Sequence, residues 1–240
     1  MTDELLFTAR NGIGHVVLNR PQARNVLTFA MYQRLADIAA NPGDARALII
    51  TGAGDKAFAS GTDIALFQDF RSAGDAIAYE PRLDRVLGGL ERCPVPTIAA
   101  ACDLRIAAAN ARFGFPIART RGNCLSMVNI ARLAALVGAP RVTEMIFTAR
   151  LLNAAEAHAI GLVSEVLPDP AALEAPPAVL AQQVASHAPL TLRATREALR
   201  RLRDNLPPDE DLIRLCYTSD DFREGMEAFL EKRPPVWKGQ

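Results

Sequence analysis

Long apolar runs are missing from this sequence, and none of its hydrophobic stretches reaches the length that spans a bilayer. Charge of one sign is missing too. The 27 basic and 27 acidic side chains give a formal net charge of +0, so no global field draws nucleic acid or an anionic membrane, and an anionic ligand must be met by local cations. Cysteines are few and scattered: Cys93, Cys102, Cys124 and Cys216 form no C-x-x-C pair and have no histidine at ligand spacing, so they read as reduced, buried, small apolar residues. The first residues, Met1-Thr2-Asp3-Glu4, are acidic and lack the charged-then-apolar layout of a secretory leader, and the expectation is a cytoplasmic chain.

What is present is enough for one large core, or a core with a small appendage: 240 residues, 50% hydrophobic and 22% charged. The stretch around which the rest is arranged is Asp55-Lys56-Ala57-Phe58-Ala59-Ser60-Gly61-Thr62-Asp63-Ile64. It follows the strand-like run Ala47-Leu48-Ile49-Ile50-Thr51 and the turn residues Gly52-Ala53-Gly54, and a helical spacing (Ile64, Phe67, Gln68) resumes after Asp63. Strand, tight loop and helix start together aim backbone N–H groups at whatever sits above them, which suits an oxygen that is gaining negative charge. A lone Gly-x-Asp is no more than a turn and an N-cap.

Upstream, Leu5 to Ala9 and His15 to Leu18 flank Asn11-Gly12, a hairpin signal. The run Leu18-Asn19-Arg20-Pro21-Gln22-Ala23-Arg24-Asn25-Val26-Leu27 leads to Thr28 as N-cap of a helix carrying Met31, Leu35 and Ile38, which Asn41-Pro42-Gly43 ends. Downstream, the segment from Phe67 to Glu91 is helix-rich, with breaks expected at Ser72-Ala73-Gly74 and Tyr79-Glu80-Pro81. Cys93-Pro94-Val95-Pro96 then opens a short buried strand at Thr97-Ile98-Ala99-Ala100. After Val128 the pattern is helical, with Asn153 as an N-cap, Gly161 as a C-cap and a strand at Leu162 to Leu167. Prolines cluster from Pro168 to Pro177, so the boundary between an α/β core (1–168) and a helical region (169–240) is placed there. In that region Leu190, Leu199, Leu202 and Leu206 read as the buried stripe, and Arg193, Arg196, Arg200 and Arg203 as the solvated face. Ser219 caps a last helix whose first turn carries Asp220 and Asp221, and Phe222, Met226, Phe229 and Leu230 recur at helical spacing.

Four of these segments, in this order, resemble the enoyl-CoA hydratase/isomerase (crotonase) family: the Leu18–Leu27 run, the Phe58–Ile64 loop, Ala157 to Val163, and the ending Asp221 to Arg233. The resemblance implies a spiral of strand-strand-helix repeats with a C-terminal helical region. It also implies trimers or dimers of trimers, and lyase or isomerase chemistry on acyl-CoA thioesters in fatty acid metabolism. No cofactor is implied beyond the coenzyme A of the substrate, and no nucleic acid or membrane partner. Thr62 N–H would be one of two oxyanion donors. Ser60, Thr62, Asp63, Ile64 and Ala65 would line the CoA pocket, Ala23 and Arg24 would meet the nucleotide, and Phe229 and Lys232 would approach CoA across a subunit boundary.

The chain departs from this pattern in two places. It passes directly from Ala99-Ala100 to Ala101-Cys102-Asp103-Leu104-Arg105, without the family's glycine-rich turn and the helix that carries the second donor and a first glutamate. After Arg112-Phe113-Gly114-Phe115-Pro116 it has Ile117, where hydratases and isomerases place a second glutamate, and isoleucine cannot transfer a proton. Two functional readings therefore stand: an acyl-CoA enzyme with weak or absent hydratase activity, or a catalytically silent CoA-binding or assembly subunit or truncated gene product.

Overall fold

Asn11 and Gly12 both take positive φ, 52° and 74°, and this tight turn joins β1 (Leu5–Arg10) to β2 (Ile13–Leu18) as an antiparallel pair. The computed structural model describes residues 3–63, 73–99, 102–120, 124–173, 175–203 and 210–240. Thr28 Oγ1 accepts from Met31 N–H at 3.2 Å and starts α1 (Phe29–Ala40), which buries Met31, Tyr32, Leu35, Ala36, Ile38 and Ala39. β3 (Ala47–Gly52) then lies parallel to β2, so both strands end on the same side of the sheet. α2 (Ala73–Arg92) follows and packs along α1, and β4 (Thr97–Ile98) completes a four-stranded sheet in the order β1-β2-β3-β4.

One face of this sheet carries the main core: Leu5, Val16, Leu18, Leu48 and Ile50 meet Met31, Tyr32 and Leu35 of α1 and Val86 and Leu90 of α2. Each large apolar side chain fully buried there contributes about 1.5–3 kcal/mol relative to exposure. The other face, Ile13, Ala47, Ile49 and Ile98, is covered by Ala181 of α7 (Pro176–Ala185).

A second cluster sits around short strands and helices. β5 (Ile106–Ala108) pairs in parallel with β8 (Glu165–Leu167), and β6 (Arg112–Phe113) pairs antiparallel with β7 (Leu152–Asn153). Between them run α3 (Ile117–Thr120), α4 (Met127–Val137), α5 (Ala139–Thr148) and α6 (Ala154–Ala159). Asn153 and Glu156 form a reciprocal capping box on α6, as the Asn-x-x-Glu spacing dictates. The chain ends in α8 (Pro189–Arg203), α9 (Glu210–Tyr217) and α10 (Asp220–Glu231), the last capped by Ser219, whose Oγ accepts from Phe222 N–H at 3.0 Å.

Three sequence expectations are overturned. α2 runs through Pro81 rather than breaking there. Proline removes the bond to the carbonyl of Ile77, and that residue is 71% exposed, so water can take the freed acceptor. Cys124 is exposed, not buried, while Cys93 and Cys102 lie in the main core as expected.

The third correction concerns the second half of α8: Leu190 is buried and Arg193 exposed as expected, but beyond them the apolar stripe does not stay inside. Leu199 and Leu202 face out, 64% and 61% exposed, while the Arg196 side chain is only 10% exposed. Beneath it lie better partners than water: Arg196 donates to the carbonyls of Val95 (2.9 Å), Leu90 (2.8 Å) and Cys93, and its Nε donates to Asp103 Oδ1 at 2.8 Å. Arg203 reaches Glu91, and Arg200 and Arg201 hold Glu197, so this face is neutralised rather than a free basic stripe. Leu206 lies outside the described residues.

Candidate active site

Two loops leave the same end of the sheet and are locked to each other by one buried amide. After β2, the chain makes a short 3-10 turn at Pro21–Ala23 and then places Arg24 and Asn25 at φ 51° and 53°. After β3, the loop folds so tightly over the strand end that a Cβ on Gly52 would lie 2.4 Å from the Phe58 carbonyl oxygen. Asn25, with no exposed surface, sits between the two: its Nδ2 donates to the carbonyls of Ala53 (2.9 Å) and Ala57 (2.7 Å), and its Oδ1 accepts from Arg20 N–H at 2.9 Å. Ser60 Oγ adds a 3.0 Å bond to the Arg24 carbonyl.

The second loop then runs beside Leu27 like a strand. Leu27 N–H donates to the Gly61 carbonyl at 2.9 Å, and Asp63 N–H donates to the Leu27 carbonyl at 3.0 Å. In this parallel bridge the N–H of Thr62 points away from Leu27. No acceptor takes it among the described residues, although Thr62 is 6% exposed. A donor so buried and unclaimed is a costly thing to leave empty.

Electrostatics around the bridge are local, as the zero net charge requires. Arg20 Nη1 donates to the Val26 carbonyl at 3.1 Å and to Asp63 Oδ2 at 3.0 Å, and Arg20 Nε lies 3.2 Å from Glu4. Asp63 is thus part of the brace between the loops. Arg24 is exposed at the rim.

The fold therefore brings Ala23, Arg24, Ser60, Thr62 and Asp63 together, from two loops some 40 residues apart in order. Ile64 and Ala65, with the helical spacing after Asp63, lie outside the described residues, and nothing is described of the Phe229 side chain. Lys232 is exposed just after α10 with φ 57°, and the tail after it runs to Trp237, whose carbonyl accepts from Arg46.

Sequence reasoning missed four residues that the geometry makes central: Arg20, Asn25, Tyr32 and Tyr79. Asn25 had a signal, since an asparagine among loop residues is the side chain best suited to positive φ and to bonding neighbouring carbonyls. Tyr32 had a weaker one: on the buried face of α1, its hydroxyl has to find a partner. That partner is Thr62 Oγ1, 2.7 Å away, and the Tyr79 hydroxyl reaches the same oxygen at 2.7 Å.

Where the expected turn and helix are absent, the connection closes on itself. Thr97 N–H and Oγ1 both donate to Asp103 Oδ2, at 2.7 and 2.8 Å, and Leu104 N–H donates to the Thr97 carbonyl at 3.1 Å. Ile117 opens α3, which packs against α5. Ser126 caps α4 by accepting from Asn129 N–H and donates to Asp84 at 3.4 Å. His158 Nδ1 lies 3.1 Å from the Val163 carbonyl, a bond that fixes the turn after α6.

Comparison with known proteins agrees with this layout along the whole chain. The family model described as Enoyl-CoA hydratase/isomerase matches residues 8–240. The crotonyl-CoA hydratase of Syntrophomonas wolfei is 32% identical, over 96% of each chain. The 2,3-dehydroadipyl-CoA hydratase of Escherichia coli K12 is 31% identical over 259 residues, covering 99% of each; that alignment is longer than the present chain, so the relative carries residues with no counterpart here. A crystal structure of an enoyl-CoA hydratase/carnithine racemase from Magnetospirillum magneticum has a TM-score of 0.89 at 31% identity, covering 100% of this chain and 97% of that one. With its crotonase fold and its matching loops, this chain belongs to the enoyl-CoA hydratase/isomerase family.

Proposed function

We propose that the chain binds an acyl-CoA thioester across the loops 20–27 and 53–63 and holds its carbonyl oxygen at Thr62 N–H. The observation that carries this reading is the buried Thr62 amide, turned out of the Leu27 bridge with no described acceptor. A thioester oxygen gains negative charge on the way to an enolate or a tetrahedral adduct, and a donor fixed beforehand stabilises that charge more than it stabilises the neutral carbonyl. Arg24, exposed beside Ala23 and Ser60, supplies the local cation that the nucleotide phosphates call for. Phe229 and Lys232 complete the pocket from a neighbouring copy in a trimer or dimer of trimers, as the resemblance of the chain's ending implies.

Hydration is weak or absent on this reading. Water must lose a proton and the α-carbon gain one. Ile117 offers no group for either transfer, and the sequence passes from Ala99 to Cys102 through two alanines, without the family's glycine-rich turn. Loss of one oxyanion donor alone lowers a rate by about 10²–10³. Ile117 equally favours a second reading, a subunit that binds acyl-CoA without turning it over.

Calorimetric titration with crotonyl-CoA, followed by a hydration assay on the same sample, tests both parts. Binding is expected, with a hydration kcat below the ordinary enzyme range of about 1–10³ s⁻¹. No binding would overturn the proposed site, and a kcat inside that range would overturn the prediction of weak hydration.

A further inference from the structure

Thr62 is held from both sides by tyrosines on two different helices. Tyr32 of α1 and Tyr79 of α2, 4% and 8% exposed, each place a hydroxyl 2.7 Å from Thr62 Oγ1, which is itself buried. A threonine hydroxyl can donate once and accept twice, so it can satisfy both neighbours at the same time. Behind Tyr79 the support continues. The Phe29 ring lies 6.2 Å from the Tyr79 ring, tilted by 41°, and the Arg82 guanidinium sits over the Phe29 ring, 4.6 Å from its centroid.

These contacts act on the backbone as well as on the side chain. Threonine is stiff at χ1, so pinning Oγ1 sets the direction of the Cα–Cβ bond. The neighbouring peptide groups are already fixed, since the Gly61 carbonyl and the Asp63 N–H are both bound to Leu27. With these anchors in place, the rotation of Thr62 about the chain axis is determined, and so is the direction of its N–H.

We infer that Tyr32 and Tyr79 are positioning residues for the Thr62 amide, fixing through Oγ1 the donor that polarises a bound thioester carbonyl. This rests on the acyl-CoA reading given above. A site with one oxyanion donor depends on the orientation of that donor more than a site with two, because no second donor makes up for a misaligned first. Two of the three tyrosines in the chain, Tyr32 and Tyr79, meet at this one hydroxyl.

The test removes hydroxyls while keeping shapes: Tyr79→Phe, Tyr32→Phe, Thr62→Val, the double variant Thr62→Val/Tyr79→Phe, and Thr62→Ser as the conservative rescue. Each full-length protein is titrated with crotonyl-CoA by calorimetry, and the infrared stretch of the bound thioester carbonyl is recorded with a melting curve. In the parent protein the stretch moves to lower frequency on binding. The expected result is a partial loss of that displacement in Tyr79→Phe and in Tyr32→Phe, a larger one, about half, in Thr62→Val, which removes both bonds, and no further loss in the double variant, because the Tyr79 bond is already gone in Thr62→Val. Thr62→Ser keeps the displacement, and in the two tyrosine variants Kd changes by no more than about threefold, since the donor is expected to act on the developing charge rather than on ground-state binding.

A purely structural role would lower melting temperatures and leave the carbonyl stretch of the bound ligand at the parent frequency, which overturns the positioning inference alone. If the parent protein takes up no crotonyl-CoA, the acyl-CoA reading falls, and this inference falls with it.

Discussion

Arg196 Nε donates to Asp103 Oδ1 at 2.8 Å, joining α8 to the turn after β4 across 93 residues of sequence. The same guanidinium serves three backbone carbonyls at the end of α2 and in the proline loop, and the other oxygen of Asp103 takes both donors of Thr97. This pair stands where the shortened connection passes beneath α8. Replacing Arg196 with methionine roughly keeps the reach of the side chain and takes a donor from four acceptors, of which the Leu90 carbonyl keeps Cys93 N–H. We expect a loss of about 3 kcal/mol, seen as a lower urea midpoint with unchanged slope. An effect within about 0.5 kcal/mol, the ordinary surface range, would show that the pair contributes nothing to closure.

Asn25 predicts a second outcome, this time for the site. Asn25→Asp keeps the shape but sets a carboxylate against the carbonyls of Ala53 and Ala57, where two donors stood. Stability should fall by about 2–3 kcal/mol, and the two loops should separate. Crotonyl-CoA binding is then expected to weaken at least tenfold by calorimetry, at a temperature where the variant is still folded. Unchanged affinity would place the ligand elsewhere.

Arg24 separates charge from backbone. At φ 51° it occupies the left-handed region, which asparagine adopts readily, so Arg24→Asn removes the cation without straining the turn. The melting temperature should hold while affinity for a CoA thioester drops by about tenfold, roughly 1.4 kcal/mol, and the drop should shrink at high salt as phosphate contacts are screened. Equal affinity in both proteins would remove Arg24 from the nucleotide site.

Acid should destabilise the fold through its carboxylates. Burial pushes the Glu91 carboxyl up, but bonds from Arg203 and Arg132 outweigh it and leave the group below its usual 4.5. The Arg200 bond, reinforced by Arg201, overcomes burial and holds Glu197 at about 2. A carboxyl with a lowered folded pKa binds more protons when unfolded. Its contribution is therefore complete above the unfolded value near 4.5 and disappears as pH falls through the folded one. Melting temperatures should be level from neutral pH down to about 5 and then decline steadily toward pH 2. Glu197→Gln should flatten that decline; a variant that follows the parent curve would remove Glu197 as its source.

The reading of elements from the sequence succeeded where one short-range cause decides the local structure. Asn11-Gly12 makes a tight turn in any context that can pair two strands, Thr28, Asn153 and Ser219 each cap the next helix with their own oxygen, and the β-branched run before Gly52 is a strand. The resemblance put Ala23, Arg24, Ser60, Thr62 and Asp63 in two loops, and the fold brings those loops side by side. The two tyrosines on Thr62 were not legible: nothing in a helical period says which buried hydroxyl from another helix will arrive at the same point.

The sequence by itself determined the family, the two loops that form the candidate site, and the presence of an isoleucine at position 117, which cannot transfer a proton, since these depend on residue identity and order. Only the tertiary structure decided that the second half of α8 turns Arg196 rather than Leu199 and Leu202 inward, that Thr62 N–H has no acceptor among the described residues, and that Asp103 binds back to Thr97. The physical reason is the same in each case. Periodicity ranks faces by hydrophobicity alone, but a guanidinium that finds three carbonyls and a carboxylate is better satisfied inside than in water, and those acceptors come from segments about a hundred residues away.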